Sequence, residues 1–399
     1  MKRYIALWLL LLASVLSSCT VTFSDGSSTT AGESETQAAR PEATVPSTTS
    51  ATPVQTTPTA NKTEPPTPST SEPITAPQTD EPPTTDLPPA LEKLPEMGSE
   101  GSVLEYTSRK ILYTVAKTPL YTRDGTPLYT LGAGHAVVAV EQTDDAVTIL
   151  YRGRLCELRP DQLTNEPPTS AVEKQTELGG IYYPAGNRTV GVDAGHQGKA
   201  MKEKEPVGPG STTLKAMLSS GTAGVSTHIA ERELNLRVSM LLRDELISRG
   251  YSVMMIRESH DVTISNAQRA QVANAYGVDA FIRVHGNGSS DPEARGAMTI
   301  CQTATNPYNG ELFDQSYALS ERMLDEYCAA TEIKKNNVWK TDTMTGINWA
   351  TVPTTIVEMG YMSNAEEDQI MATDTFRKNA AIGIANGIEA FFAWQDSAE

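Results

Sequence analysis

Thr189-Val190-Gly191-Val192-Asp193-Ala194-Gly195-His196-Gln197-Gly198 is the stretch that decides the fold. Its first five residues read as a buried strand running into a Gly-rich turn, and the turn carries a histidine. Downstream the hydrophobic period alternates. Ala230 to Arg249 reads as a long helix, because Leu234, Val238, Leu241, Leu242 and Leu246 fall at helical spacing and Gly250 supplies the stop. Tyr251 to Ile256 reads as a strand, and Ser265 can N-cap a helix running to about Tyr276. Strands follow at Ala280 to Val284 and Ala297 to Cys301, then a helix near Glu311 to Ala329. Thr355-Ile356-Val357-Glu358 is an apolar strand with a carboxylate at its end, and two more helical patterns end near Trp394. Strands alternating with helices predict an α/β domain over residues 188–399, a mostly parallel sheet flanked by helices. In open α/β sheets ligands collect beyond the carboxyl ends of the strands.

Several polar residues fall at that end. His196 lies just past the first strand and His285 ends a later one, in Arg283-Val284-His285-Gly286-Asn287. Glu231 opens the long helix and Glu358 ends another strand. The chain has only five histidines, and two of them sit at strand ends beside glycines. Two histidines plus one carboxylate, with an open fourth position, form a known catalytic zinc set. Zinc lowers the pKa of a coordinated water and polarises a carbonyl. A further carboxylate outside the metal can take the proton of the water and later protonate a leaving nitrogen. The alternative for each histidine is a hydrogen-bonded loop residue. Glu233 is read as solvated, His228 as a competing ligand or a bystander one turn before Glu231, and His135 and His260 as surface residues. Asp193 and Asn235 either orient ligands or fix local turns.

The four segments, in this order, resemble zinc-dependent N-acetylmuramoyl-L-alanine amidases of the family-3 type. The resemblance runs from Thr189 to Trp394. It rests on the turn at Asp193–Gly198, the Glu231–Leu236 helix start, the strand into His285 followed by Asn287, and the Val357–Asn364 run. Arg257, Gln268-Arg269-Ala270 and Ala273-Asn274 match in between. The resemblance implies that His196, Glu231 and His285 hold Zn2+ and that Glu358 is the catalytic carboxylate. It implies hydrolysis of the amide joining the lactyl group of N-acetylmuramic acid to L-Ala of the peptidoglycan stem. Gln197 and Gly288 depart from the usual residues beside the two histidines. The stretch between His196 and Glu231 is longer than usual and carries Lys199, Lys202, Lys204 and Lys215. It is expected to be a mobile loop over the site or a tolerated surface insertion.

The remainder of the chain is of another kind. Residues 1–18 carry Lys2 and Arg3 before an apolar run from Ile5 to Leu16, too short for a comfortable membrane span. With Cys19 they resemble a bacterial lipoprotein signal, which implies cleavage before Cys19, acylation of its thiol and a tether at the outer face of a membrane. Residues 19–100 are Thr-, Pro- and Ser-rich. The stretch 20–100 holds 14 of the 25 prolines and 12 acids against 3 bases, so a disordered linker is expected. Residues 101–165 alternate in short runs between turn signals and resemble a bacterial SH3-type β domain, which implies a small β-barrel that binds wall or serves as a spacer. Residues 166–187 read as a second linker.

The 399 residues carry 32 Lys+Arg against 49 Asp+Glu, a net charge of −17. That balance argues against a chain built to coat nucleic acid. The four cysteines are too far apart for a disulfide framework or a metal ribbon. Cys156 reads as a core residue, and Cys301 and Cys328 as reduced core residues or a disulfide. The expected protein is a lipid-anchored envelope hydrolase whose partner is peptidoglycan. The alternatives are a non-catalytic wall-binding lipoprotein on the same fold and a zinc amidohydrolase of another amide.

Overall fold

The computed structural model describes residues 109–122 and 125–398. The expected signal segment, Cys19 and the linker at 19–100 lie outside the described residues.

The first strands are short and antiparallel. They are β1 (Lys110–Thr114), β2 (Thr118–Tyr121), β3 (Pro127–Leu131), β4 (Ala136–Gln142), β5 (Val147–Tyr151), β6 (Arg154–Leu158) and β7 (Leu163–Thr164). Five of them form a sheet in the order β6-β5-β4-β1-β7, and β2 pairs with β3 as a ribbon. The β5–β6 hairpin turns through Arg152 and Gly153, both at positive φ, as a two-residue turn matched to strand twist requires. Leu120, Leu131, Ile149 and Cys156 fill the small core beneath. This unit rests on the larger one. Ala136 N–H donates to the Pro184 carbonyl at 2.6 Å, Arg152 N–H donates to the Ser248 carbonyl at 2.6 Å, and Tyr113 and Val138 join the main core.

The stretch expected as a linker at 166–187 carries α1 (Thr169–Leu178) and β8 (Ile181–Tyr183). β8 is an edge strand, because Ile181 to Tyr183 pair antiparallel with Met255 to Val253. The elements that follow are β9 (Thr189–Ala194), β10 (Met201–Pro206), β11 (Leu214–Leu218), α2 (Glu231–Ser248), β12 (Ser252–Met255), α3 (Asn266–Tyr276) and β13 (Ala280–Asn287). Then come β14 (Ala297–Cys301), α4 (Phe313–Thr331), β15 (Lys335–Lys340), α5 (Thr345–Asn348), β16 (Thr354–Tyr361), α6 (Ala365–Met371) and α7 (Asp374–Ala398). Ser265 caps α3 in a capping box with Gln268, and Gly277 ends that helix in the left-handed conformation.

The main sheet has seven strands in the order β15-β14-β16-β13-β9-β12-β8. The pairings of β9 with β12 and β13, of β13 with β16, and of β14 with β15 are parallel, while β8 and β14 join β12 and β16 antiparallel. The sheet is therefore mixed, with a parallel centre. Alternate residues divide between its faces. Val190, Val192, Ile282, Val284 and Val357 enter the large core with Leu242 and Leu246 of α2 and Phe391 of α7. Each such side chain, fully buried, contributes about 1.5–3 kcal/mol. Asp193, Arg283, His285 and Glu358 project to the opposite face, where Phe281 packs with Ala273 of α3 and Ile356 with Ile347 of α5.

Candidate metal centre and active site

The site begins where β9 ends. His196 holds a left-handed backbone at φ +60°, an uncommon state for a residue with a side chain. Three buried arginines impose it. Arg257 donates to the Ala194 carbonyl at 2.8 Å and to the Gly195 carbonyl at 2.9 Å. Arg269 donates to the His196 carbonyl at 3.1 Å, to Gln197 Oε1 at 2.8 Å and to Asp193 at 2.5 Å. Arg283 donates to the other Asp193 oxygen at 2.9 Å and to Asn266 at 2.8 Å. Burial alone would raise the Asp193 carboxyl, but Arg269 and Arg283 hold it well below the usual range. Arg257 is pushed down to about 10, by burial and then by Arg269. Asp193 thus organises the turn from beneath, and Gln197 serves as an acceptor for Arg269 and for the Ile264 N–H.

Glu231 is the first residue of α2 and is buried. Its Oε1 lies 3.0 Å from His196 Nε2 and 3.0 Å from His285 Nδ1. Asn235, one turn on, donates to the same oxygen at 3.3 Å, and the Thr222 N–H donates to Oε2 at 2.9 Å. Burial opposes ionisation of Glu231, yet the two imidazoles hold its pKa far below the ordinary value. His196 Nδ1 donates to the Ser219 carbonyl at 3.0 Å, which fixes the ring with its Nε2 turned toward Glu231. His285 is kept below its ordinary pKa by burial, against the pull of Glu231. The three side chains cannot pack this closely without small neighbours. A Cβ on Gly195 would stand 2.3 Å from the His285 ring, and one on Gly221 would stand 2.6 Å from Glu231 Oε2.

Glu358 is the register partner of His285 across the parallel β13–β16 pair, so both face the same side. Its residue is half-buried, but Oε2 is sealed from solvent and has no hydrogen-bond partner. Burial and the nearby Glu231 raise its pKa to about 8, with Arg283 opposing.

This donor set fits a metal ion. One ligand atom each from His196, Glu231 and His285 lie within 4.8 Å of one another. Zinc with donors at ~2.0–2.2 Å in tetrahedral array places them about 3.3 Å apart. His285 Nε2 is also buried without a partner. The four residues named from sequence therefore meet in one place. The other histidines do not join them. His228 is exposed, His135 belongs to β1–β7, and His260 pairs with Glu233 at 2.6 Å. That pairing corrects the reading of Glu233 as a solvated residue, since it also binds Arg237 at 2.7 Å. Arg283 escaped sequence reasoning, although an arginine inside the apolar run Ala280 to Val284 is itself the signal of a buried charge needing a partner.

The long stretch between His196 and Glu231 is not an irregular loop. Residues 201–218 form an antiparallel ribbon, β10 paired with β11, and the ribbon is pinned. Glu205 accepts from Ser265 Oγ at 2.6 Å and from the Ala267 N–H at 3.1 Å. Trp349 and Asn348 donate to the Pro206 and Val207 carbonyls, and Lys215 donates to the Thr343 carbonyl. Its polar anchors come from residues far away in sequence, which is why it reads as a loop in isolation. Cys156, Cys301 and Cys328 are free thiols.

Residues 190–390 match the family model described as N-acetylmuramoyl-L-alanine amidase. The uncharacterized protein YqiI of Bacillus subtilis (strain 168) is 25% identical over 209 residues, which cover 52% of this chain and 87% of YqiI. The N-acetylmuramoyl-L-alanine amidase AmiA of Salmonella typhimurium is 24% identical over 225 residues, covering 45% of this chain and 77% of AmiA. The crystal structure of apo Ami1, an N-acetylmuramyl-L-alanine amidase from Mycobacterium abscessus, is 24% identical with a TM-score of 0.48, over 52% of this chain and 99% of that one.

Proposed function

The chain belongs to the N-acetylmuramoyl-L-alanine amidase family, and from that premise we propose a zinc-dependent hydrolase tethered at the bacterial envelope and acting on peptidoglycan. The observation that carries the metal reading is the convergence of His196, Glu231 and His285 beside the unpartnered carboxylate oxygen of Glu358. These three residues would hold Zn2+. When bound, the ion supplies Lewis acidity to the scissile carbonyl and to an attacking water.

The chain's own residues do the rest. Glu358 lies on the same face as His285, with one carboxylate oxygen sealed from solvent and a pKa raised to about 8. A carboxyl poised near neutrality serves both directions of proton transfer. It accepts the proton of the attacking water as oxygen adds to the lactyl carbonyl carbon. It returns that proton to the L-Ala nitrogen as the C–N bond breaks. The products are a free lactyl carboxylate on the glycan and a stem peptide with a free L-Ala amine. Asp193, Arg257 and Arg269 hold the His196 turn in place throughout.

Acylation at Cys19, export, a linker role for residues 19–100 and a wall-facing SH3-like unit at 101–165 belong to the same proposal. They are supported by the resemblances in sequence. Among the described residues no helix is long and apolar enough to cross a membrane.

The purified full chain, incubated with zinc and isolated peptidoglycan, tests the reading by mass spectrometry of the soluble products. Stem peptides beginning at L-Ala, lost on chelation and restored by zinc, are expected. Intact muropeptides throughout would overturn the catalytic reading in favour of a binding protein. Mass spectrometry of the N-terminus of membrane-extracted protein checks the anchor, and an unmodified residue other than Cys19 would remove it.

A further inference from the structure

Two adjacent acids of α6, Glu367 and Asp368, are buried although the helix has only seven residues. Successive residues on a helix point about 100° apart, and these two reach different parts of the site. Asp368 accepts from the Ser226 N–H at 2.7 Å, the Thr227 N–H at 2.8 Å and the Thr227 hydroxyl at 2.6 Å. Those residues lie in the segment that delivers Glu231. A Cβ on Gly224 would stand 2.0 Å from Asp368 Oδ1, so the backbone is drawn tight against the carboxylate. The same segment closes on Glu231 itself, through the Glu231 N–H to the Thr222 carbonyl and the Thr222 N–H to the Glu231 carboxylate, both at 2.9 Å.

Glu367 reaches the other way. It accepts from the Tyr361 N–H at 2.7 Å, three residues past Glu358 on β16, and from the Gly296 N–H at 2.7 Å, just before β14. β14 is the antiparallel neighbour whose Met298 is the register partner of Glu358. Asn364 caps α6 by accepting from the N–H groups of Glu366 and Glu367, each at 3.1 Å, and donates to the Pro292 carbonyl at 2.9 Å, so the helix is fixed to its surroundings.

We infer that α6 is a bracket in which Asp368 positions the ligand Glu231 and Glu367 positions the strand of Glu358, together setting the spacing between metal ligand and proton carrier. Neither acid touches the reacting atoms; both are positioning residues. The inference rests on the amidase reading above. Its consequence is a separation of effects. Loosening Asp368 frees the segment before Glu231 and weakens the metal site. Loosening Glu367 lets the end of β16 shift and slows proton transfer while the ligands stay in place.

The test uses full-chain variants Asp368→Ala, Asp368→Asn, Glu367→Ala and Glu367→Gln. Zinc affinity is read by competition with a chromophoric chelator, and kcat and KM on a soluble muropeptide at saturating zinc. Asp368→Ala is expected to weaken zinc binding roughly 10- to 100-fold, as loss of an outer support does. Asp368→Asn is expected to retain affinity within about threefold, since its amide oxygen still serves the backbone N–H groups. Glu367→Ala is expected to keep zinc affinity within about threefold and lower kcat roughly tenfold with KM unchanged, and Glu367→Gln, whose single amide oxygen can serve only one of the Tyr361 and Gly296 N–H groups, to recover only part of it.

Wild-type zinc affinity in Asp368→Ala overturns the Glu231 arm, and wild-type kcat in Glu367→Ala overturns the Glu358 arm. Loss of both properties in both variants, with lowered melting temperatures, overturns the bracket in favour of general stabilisation. If Asp368→Ala does not fold, Thr227→Val removes one of the three hydrogen bonds, and unchanged zinc affinity there counts against the arm. Asp368-dependent zinc binding in a chain that never cleaves peptidoglycan would uphold the bracket's metal arm and sink the amidase reading.

Discussion

Replacing Asp193 with alanine tests the account of the turn most directly. Asp193 is fully buried and is gripped by Arg269 at 2.5 Å and Arg283 at 2.9 Å, both also buried. Its removal leaves two guanidiniums without their counter-charge. Breaking a buried pair by deleting one partner costs about 3–5 kcal/mol, against a total stability of about 5–15 kcal/mol. At about 2–4 °C per kcal/mol for a domain near this size, the melting temperature should fall by about 6–20 °C. Asp193→Asn keeps the volume and one acceptor oxygen, so its loss should be smaller. Circular dichroism melts of the two variants and wild type measure this.

The pH dependence supplies a second check. The folded carboxyl sits far below its unfolded value near 3.9, so the unfolded chain binds the proton first as pH falls. The stabilisation is therefore complete above that value and declines as pH drops below it. The melting gap between wild type and Asp193→Asn should be constant above about pH 5 and narrow beneath pH 4. A melting temperature for Asp193→Ala within about 2 °C of wild type, or a gap that widens in acid, would refute the reasoning.

Glu358→Gln should leave zinc bound and lower kcat about 10²–10⁴-fold, as loss of a general acid–base does; a variant with most of its activity would displace Glu358 from the mechanism. His285→Ala should lose metal as well as turnover, which chelator competition separates from the Gln variant. Gly195→Ala places a methyl where the His285 ring stands, so its zinc affinity should drop although no ligand is altered; unchanged affinity would mean the turn is loose. His135 is held near pKa 4 by burial and then by Arg152, so the folded state disfavours its protonation. That stability is present above pH ~6.5 and is lost as pH falls toward 4. Melts at pH 7 and 4.5 should show the wild type losing more stability in acid than His135→Gln, and equal losses would count against it.

Most of the strand–helix order, the N-cap at Ser265 and the four candidate residues of the site were legible in sequence, from local period and from the motifs shared with the amidases. A helix repeats every 3.6 residues and a strand every 2, and His196, His285 and Glu358 stand at the ends of apolar runs beside glycines. The carboxyl-end rule then gathers them at one edge of the sheet. Pairing partners leave no local mark. Nothing local says that β14 enters the sheet antiparallel between β15 and β16, or that β8 forms its far edge. The ribbon at 201–218 looked like a loop because its anchors at Ser265, Ala267 and Trp349 are many residues away. Asp193 meets Arg269 across 76 positions of sequence, and Asp368 meets Ser226 across 142. Sequence alone determined which residues are candidates for the chemistry, because chemical identity and local period are written residue by residue. Only the tertiary structure decided what holds them at working distance, because a buried charge is stable only beside a partner that folding, and not chain proximity, brings to it.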